Sequence, residues 1–283
     1  MSIKIITDSA ADFDSYELKE HSVESVPLTV SFGNDNYIDG VTLTKDRFYE
    51  LLKTNKDFPK TSQPSPDAFR VIFENAKESG DTVIAILLSS ALSGTYQSAL
   101  IAKNMVEYDN VYLFDTCSAT GGEKTYVVLA VKMAASGHSA NEILEYLEGI
   151  KSRSRLYASL DTLEYLCKGG RLSRAAAGIG TLARLKPIIT LTQDGEVTVA
   201  EKCIGRKNSL EHLVNYIEKT GIDTSIPISF VYSHDESGCK KVMERLAEKG
   251  YDLKGSMISN IGPTIGAHIG VGAVGIIYFV PEN

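Results

Sequence analysis

In the first half of the chain, short apolar runs alternate with longer amphipathic segments. The runs are four to seven residues long and partly β-branched, which is typical of buried strands, and they lie at Ile3–Ile6, Val26–Phe32, Val83–Leu88 and Val111–Phe114. Helical patterns lie between or after these runs, at Phe69–Lys77, Tyr96–Val106 and Lys124–Ala135. This alternation predicts a mainly parallel sheet with helices on both of its faces.

The second half has a different pattern. Two β-rich runs, Pro187–Thr192 and Glu196–Lys202, flank the sequence Gln193-Asp194-Gly195 and predict a hairpin. Further strands are predicted at Ile228–Tyr232, Met257–Ile261 and Val274–Val280, and amphipathic helices at Asn208–Lys219 and Gly238–Lys249. Strands joined both by a hairpin and by helices indicate a mixed sheet. We therefore predict an α/β protein with an N-terminal domain over 1–158 and a C-terminal domain over 159–283.

Residues 261–280 contain no Asp, Glu, Lys or Arg and are long enough to suggest a membrane span. Pro263, His268 and several glycines interrupt the segment, and no basic cluster flanks it. A short helix of small residues followed by a buried terminal strand fits this composition better.

Composition and charge narrow the function classes. Of 283 residues, 43% are hydrophobic and 23% charged, and 29 Lys and Arg against 36 Asp and Glu give a net charge of −7. An acidic chain of this kind is not expected to bind nucleic acid, and the regulatory DNA-binding alternative is correspondingly weak. The four cysteines, at 117, 167, 203 and 239, have no zinc-finger spacing, and the N-terminus has no signal-peptide pattern. The sequence predicts a reduced, cytoplasmic protein without a metal site.

Small hydroxylated or acidic residues follow three of the predicted strands, at 7–12, 89–95 and 115–120. Ligand crevices of parallel sheets form at the carboxyl ends of strands, and the helices that follow offer free N–H groups. Ser93 and Gly94 open the helix Tyr96–Val106 and could hold a carboxylate or phosphate, although a plain N-cap explains one serine equally well. Asp8, Asp12 and Asp115 could bind a metal, but helix capping explains them more simply.

Two loops and one histidine are further candidates. Thr61 and Ser62 precede a Pro-Ser-Pro turn in which Ser65 is the expected N-cap. Arg171 follows two glycines, which permit close approach to a ligand or simply end a helix, and its guanidinium suits an anion. His268 lies in the uncharged glycine-rich segment, where a satisfied core histidine is the commoner case.

Six motifs occur along the chain. They are Thr-Asp-Ser-Ala-Ala-Asp from residue 7, Pro-Leu-Thr-Val from 27, Thr-Ser-Gln-Pro-Ser-Pro from 61, Leu-Ser-Gly-Thr-Tyr-Gln-Ser-Ala from 92, Lys-Gly-Gly-Arg-Leu-Ser from 168 and Gly-Pro-Thr-Ile-Gly-Ala-His-Ile-Gly from 262. In this order they resemble the DegV family of bacterial fatty-acid-binding proteins, and the match covers essentially the whole chain. It departs from the family at Gly270-Val-Gly272, where many members have Gly-Pro-Gly.

The resemblance implies a two-domain α/β protein that holds a long-chain fatty acid in a tunnel between its domains. Such proteins are the lipid-carrying subunits of a fatty-acid kinase, and a separate ATP-using partner phosphorylates the bound carboxylate for phospholipid synthesis. It implies no enzymatic activity and no cofactor in this chain. Carried over by motif, the residues around the carboxylate are Thr61, Ser62, Ser93, Gly94, Arg171 and His268.

Three further expectations concern the tunnel wall, a docking surface for the kinase and an alternative function. The tunnel wall is predicted to include Ile265 and, on an apolar small-residue helix over 172–185, Ile179 and Leu182. Lys202 and Arg206 are candidates for docking an acidic kinase surface, although a solvated basic face explains them at least as well. The alternative function is a serine-dependent acyl hydrolase that uses Ser93 and His268, although no Gly-x-Ser-x-Gly elbow is present.

Overall fold

A computed structural model describes residues 2–172 and 185–282. Its strands, numbered along the chain, are β1 (Ile3–Asp8), β2 (Glu24–Val26), β3 (Thr29–Phe32), β4 (Asp35–Ile38), β5 (Lys60–Ser62), β6 (Thr82–Leu87), β7 (Val111–Asp115), β8 (Ser154–Ser159), β9 (Leu185–Leu191), β10 (Val197–Ile204), β11 (Ser229–Tyr232), β12 (Met257–Asn260) and β13 (Val274–Phe279). The helices are α1 (Ser15–Glu20), α2 (Lys45–Thr54), α3 (Pro66–Ser79), α4 (Thr95–Val106), α5 (Gly121–Ala135), α6 (Ala140–Lys151), α7 (Glu164–Lys168), α8 (Arg206–Thr220), α9 (Ser237–Glu248) and α10 (Pro263–Ile269).

The N-terminal half contains the predicted parallel sheet. Its strand order is β2-β1-β6-β7, and every neighbouring pair is parallel. Helices α3 and α4 pack on one face through residues such as Phe69 and Ala99, and α5 and α6 pack on the other through Val127 and Leu147. Ser65 caps α3 as predicted, since the Ala68 amide donates to its hydroxyl at 3.3 Å. The predicted fold class is confirmed in this half.

The single strand predicted over Val26–Phe32 is wrong. Strand β2 ends at Val26, and β3 begins at Thr29 and joins β4 and β5 in a separate antiparallel sheet. Pro27 lies between the two strands and has no amide hydrogen to donate to a ladder, so the chain leaves the parallel sheet there. This small sheet matters for the site because β5 carries Thr61.

The C-terminal half forms a mixed six-stranded sheet in the order β10-β9-β8-β13-β11-β12. Strands β11 and β12 are parallel, and the other neighbouring pairs are antiparallel, including the predicted hairpin of β9 and β10. Strand β8 pairs in this sheet although it spans the predicted domain boundary at 158 and 159. The helix predicted over 172–185 lies almost entirely outside the described residues, and Ile179 and Leu182 lie outside them as well.

Helix α5 lies between the parallel sheet and the mixed sheet. It contacts β1 and β6 on one side and β11, β12 and β13 on the other. Its first ten residues are all buried, including the charged Glu123 and Lys124. Gly121 and Gly122 permit this close packing, because a Cβ at either position would lie 2.1 Å from a serine hydroxyl oxygen. The two halves are therefore joined through the buried first ten residues of one helix.

The uncharged segment 261–280 is the predicted short helix followed by a buried strand. Helix α10 has seven residues, and all six residues of β13 are buried in the middle of the mixed sheet. Among the described residues, no helix is both long and apolar enough to cross a membrane.

Candidate functional site

A cavity, partly open to solvent, lies between the carboxyl ends of the parallel strands and the mixed sheet. Residues that follow β6 and β7 form one wall, strands β8, β9, β10 and β11 form another, and α10 covers a third side. Most of the lining is aliphatic: Leu28, Leu88, Leu92, Ala119, Leu156, Ala158, Leu166, Ile189, Leu191, Val197, Val231, Ile261, Ile265 and Ile269. Such a space suits the hydrocarbon part of a ligand.

His268 and Thr61 are hydrogen-bonded to each other on the cavity wall. The distance from His268 Nε2 to Thr61 Oγ1 is 2.8 Å, which joins α10 to β5 across 207 residues of sequence. Burial, and then the positive charge of Arg171, lower the pKa of His268 to about 4, so the imidazole is neutral at pH 7. Its buried Nδ1 has no hydrogen-bond partner among the described residues. The tautomer with Nε2–H leaves the Thr61 hydroxyl proton free for a ligand.

Gly169 provides the space for the imidazole ring. A Cβ at this position would lie 2.3 Å from His268 Nδ1, closer than any real contact. Gly169 ends α7 with φ −75° and ψ −10°, so it is the lack of a side chain, and not an unusual backbone conformation, that matters here. At Gly170, by contrast, φ is +69°, which favours glycine and turns the chain toward Arg171.

The half-buried guanidinium of Arg171 connects the end of α7 to the loop before α4. Its Nε donates to the Leu92 carbonyl at 3.1 Å, and its Nη1 donates to the Gly169 carbonyl at 2.6 Å. Within the described residues, Nη2 makes no hydrogen bond, and the guanidinium lines the cavity. Arg171 can therefore hold an anion with one nitrogen while the other two fix its position.

Ser93 and Gly94 lie at the start of α4. The Ser93 hydroxyl is 2.9 Å from the Thr95 hydroxyl and also accepts a long hydrogen bond from the Thr95 amide. Gly94 is the N-cap, and a Cβ on it would lie 2.0 Å from Gln63 Oε1. Gly94 thus lets the loop after β5 approach α4, which brings Thr61 and Ser93 to the same cavity.

The structure places the predicted site residues in different relations to this cavity. Thr61, Ser93, Arg171, His268 and the predicted wall residue Ile265 all line it. Ser62 is exposed, and neither Ser62 nor Gly94 lines the cavity. Gly94 is next to Ser93 in the loop before α4. The parts that these residues play in binding a ligand stay predictions.

The predicted docking residues lie near the far edge of the mixed sheet. Lys202 is exposed on β10, and Arg206 is the first residue of α8. Arg206 is half-buried and donates to the Ser159 hydroxyl at 3.2 Å, with Asp161 at 3.9 Å. Burial lowers the pKa of its guanidinium. Of the two, Lys202 is the more available to a partner.

The geometry does not pair the two residues of the hydrolase alternative. Ser93 is hydrogen-bonded to Thr95, and His268 is hydrogen-bonded to Thr61. Within the described residues, no carboxylate accepts a hydrogen bond from His268, since its Nδ1 is unpartnered. A nucleophile normally lies within hydrogen-bond reach of a base that a third group orients. Neither contact is present here.

A group of buried carboxyl groups next to the cavity was not predicted as a group. Asp8 does cap the 3₁₀ turn at Ser9–Ala11, as predicted, because the Ala10 amide donates to it at 2.9 Å. It also accepts from the Leu88 amide at 2.9 Å, which fixes the end of β6. Burial raises the pKa of Asp8 to about 6.

Asp12 and Asp39 both accept hydrogen bonds from amides at the beginning of α10, which is distant from them in sequence. The Gly262 amide donates to Asp12 at 2.8 Å, and the cavity residue Thr120 also donates to that carboxyl group. Thr264 donates to Asp39 through its amide at 3.1 Å and through its hydroxyl at 2.5 Å. Burial raises the pKa of Asp12 to about 7 and that of Asp39 to about 6. The acidic motif near residue 7 therefore positions the helix that carries His268.

Comparison with known proteins identifies the family. A family model described as "Uncharacterised protein, DegV family" matches residues 2–280. A DegV domain-containing protein of Caldanaerobacter subterraneus subsp. tengcongensis is 36% identical over 277 residues, which are 98% of each chain. The structure "Fatty Acid Binding of a DegV family Protein from Thermus thermophilus" is similar, with a TM-score of 0.90 and 30% identity over 99% of this chain and 100% of that one. DegV from Bacillus subtilis, described as a fatty acid binding protein, has a TM-score of 0.85 and 31% identity over 99% of this chain and 100% of its own. This chain therefore belongs to the DegV family.

Proposed function

We propose that this protein binds one long-chain fatty acid in the cavity, with the two predicted domains, 1–158 and 159–283, forming the walls of a tunnel. The observation that carries the proposal is a cavity whose wall is mainly aliphatic but includes four polar residues, namely Thr61, Ser93, Arg171 and His268, of which Thr61 and His268 are hydrogen-bonded to each other. An aliphatic wall with one polar group matches a ligand with one polar end. The fatty-acid-binding relatives of the same fold support this choice.

The polar group suits a carboxylate. A buried carboxylate requires several hydrogen-bond donors, because otherwise it becomes protonated or returns to water. The donors offered are the Ser93 and Thr61 hydroxyls and Nη2 of Arg171, whose charge also compensates that of the ligand. His268 is neutral at pH 7 and adds no charge to the site. Its Nε2 orients the Thr61 hydroxyl through their hydrogen bond.

The aliphatic wall supplies the binding free energy. A sixteen-carbon saturated acid has about fourteen methylenes, and burying them at about 0.8 kcal/mol each contributes on the order of 11 kcal/mol. The loss of translational and chain freedom removes several kcal/mol from this sum.

The same proposal makes the protein a carrier and not an enzyme. It presents the carboxylate to a separate ATP-dependent kinase in the cytoplasm, which forms an acyl phosphate for phospholipid synthesis. The resemblance of the motifs supports this part, together with the partly open cavity. Docking would use the exposed Lys202, with the half-buried Arg206 beside it, to approach an acidic surface of the kinase.

The direct test is mass spectrometry of lipid released from the denatured protein. We expect a fatty acid of 14 to 18 carbons, close to one per chain, and weaker retention in Ser93→Ala. Ser90→Ala is the matched control, since Ser90 is an exposed serine of the same loop that does not line the cavity. An empty protein that also fails to bind added palmitate contradicts the proposal.

Two activity assays test the carrier role separately. We expect no turnover of chromogenic esters, and no hydroxylamine-trappable acyl phosphate when ATP is added to this chain alone. Ester turnover that disappears in Ser93→Ala would favour the hydrolase alternative. Acyl phosphate formed by the isolated chain would show that a separate kinase is unnecessary.

A further inference from the structure

Three side chains with metal-binding atoms meet at the outer edge of the mixed sheet, away from the cavity. Glu201 and Cys203 lie two residues apart on β10, so their side chains point to the same face of the strand. His212 lies on α8, which packs on that face. A carboxylate oxygen, the Cys203 sulfur and a ring nitrogen of His212 all lie within 4.8 Å of one another. The motif analysis missed this group because its members are not arranged as a Cys-x-x-Cys pair.

The distances are close to those of a coordinated metal ion. Zinc binds Cys sulfur at about 2.3 Å, His nitrogen at about 2.0–2.1 Å and carboxylate oxygen at about 2.0–2.2 Å, so tetrahedral ligand atoms are about 3.3–3.6 Å apart. His212 Nδ1 and Glu201 Oε2 are now hydrogen-bonded at 2.8 Å. They would separate by about half an ångström, and the sulfur would approach by at most about 1.5 Å. Side-chain rotation is sufficient for such shifts.

Burial and access also fit a site with three protein ligands and one open position. Cys203 is 2% exposed and closes the site from the interior, whereas the side chains of His212 and Glu201 are 30% and 37% exposed. An ion can therefore enter from solvent and keep a water molecule as its fourth ligand. A ligand set of thiolate, imidazole and carboxylate favours zinc over magnesium or calcium, which prefer oxygen ligands.

A further contact orients the carboxylate. The Tyr216 hydroxyl donates to Glu201 Oε2 at 3.1 Å, and the Tyr216 ring stacks on Tyr157 with centroids 3.8 Å apart. Hydrogen bonds of this kind to a ligating carboxylate are usual around metal sites, where they fix the ligand orientation. The hydrogen bond between Glu201 and His212 joins two of the three groups, and the Cys203 thiol, which is part of the buried core, lies within 4.8 Å of both.

We propose that Glu201, Cys203 and His212 form a zinc site that joins the edge strand β10 to α8. When the ion binds, the Cys203 thiol loses its proton to solvent, and His212 gives up the Nδ1 proton that faces Glu201 and keeps a proton on Nε2. The sulfur, Nδ1 and the Glu201 carboxylate oxygen then form the metal bonds. The site is independent of the fatty-acid proposal, since none of its residues lines the cavity. Bound zinc would stabilise β10, which lies at the edge of the mixed sheet with β9 as its neighbouring strand among the described residues.

Cobalt(II) titration of the full-length, chelator-treated protein tests the site, because cobalt bound to a thiolate gives a charge-transfer absorption in the near ultraviolet. A Cys167→Ser background removes the exposed cysteine. We expect one cobalt ion per chain, displaced by zinc, and a thiolate band that is lost in Cys203→Ser. His212→Ala should weaken binding at least tenfold, and Tyr216→Phe by about tenfold.

The controls are Cys239→Ser and His138→Ala, which change a buried cysteine and an exposed histidine outside the group. Both should bind cobalt like the parent protein. No binding, binding without a thiolate band, or equal binding in His212→Ala would overturn the proposal. If Cys203→Ser does not fold, His212→Ala decides, because His212 is partly exposed and its replacement leaves the core intact.

Discussion

Replacing Gly169 by alanine is the sharpest test of the site, because it adds one methyl group and changes no charge. Gly169 has helical φ and ψ, which alanine adopts without strain. The new Cβ would lie 2.3 Å from Nδ1 and 2.9 Å from Cε1 of His268, with the Tyr165 carbonyl oxygen at 3.0 Å. The imidazole must therefore move away by about 1 Å to reach ordinary contact distance.

This displacement should break the contact between His268 Nε2 and Thr61 Oγ1, which is now 2.8 Å long. A buried polar pair that loses its hydrogen bond costs about 1–3 kcal/mol. If the Thr61 hydroxyl is oriented for the carboxylate by His268, fatty-acid affinity falls by about 5- to 150-fold. The fold should persist, because the clash is with a side chain at the edge of a cavity.

The assay is displacement of a fluorescent fatty acid from the delipidated protein, with urea unfolding measured in parallel. Gly149→Ala is the matched control: Gly149 is exposed in α6, and a Cβ there meets no atom within 4 Å. It should stabilise the protein by up to about 1 kcal/mol and leave lipid affinity unchanged. In a His268→Ala background, Gly169→Ala should change affinity less than twofold. Affinity within twofold of the parent for the single Gly169→Ala variant would refute this account of the His268 position.

Three further predictions concern other parts of the molecule. Asp12→Asn should flatten the pH dependence of the unfolding free energy. In the folded parent protein the pKa of the Asp12 carboxyl group is raised to about 7, so the group keeps a proton that it releases in the unfolded chain from about pH 4 upward. Parent stability therefore falls as pH rises through that window, by up to about 1.4 kcal/mol per pH unit from this group, and equal slopes in urea titrations would contradict the assignment. Ile265→Phe should shift the bound lipids toward shorter chains in the mass spectrum, because the larger side chain occupies part of the cavity, and an unchanged chain-length distribution would place Ile265 away from the acyl chain. Lys202→Glu should slow acyl-phosphate formation by an added kinase while the lipid content stays the same, and an unchanged rate would exclude Lys202 from docking.

Local patterns in the sequence were sufficient for most elements and for the general position of the cavity. Apolar periodicity predicted β1, β6 and β7 of the parallel sheet, the hairpin, and the helices α3, α4, α5, α8 and α9, because helix and strand repeats are properties of near neighbours in the chain. The polar residues after the parallel strands indicated a crevice at that edge, and Thr61, Ser93, Arg171 and His268 do line one cavity there. The chemical role of each of these four stays a prediction.

Other features depended on contacts between distant residues. Pro27 divides what looked like one strand, because each half finds partners in a different sheet. Charged residues at the start of α5 are buried because sheets cover it on both sides, and no local pattern reports a second covering layer. The order of motifs indicated which residues belong together but not how they touch.

The amino-acid sequence by itself determined the fold class, most strands of the two large sheets, and Thr61, Ser93, Arg171 and His268 as residues that line one cavity. Only the tertiary structure decided that Asp12 binds the Gly262 amide across 250 residues, and that Gly169 makes room for His268. It also decided that Glu201, Cys203 and His212 meet at a sheet edge. The reason is physical. Periodicity is set by residues that are near one another in the chain, whereas the pKa of a buried group and its hydrogen-bond partners depend on the residues that pack against it from elsewhere in the chain.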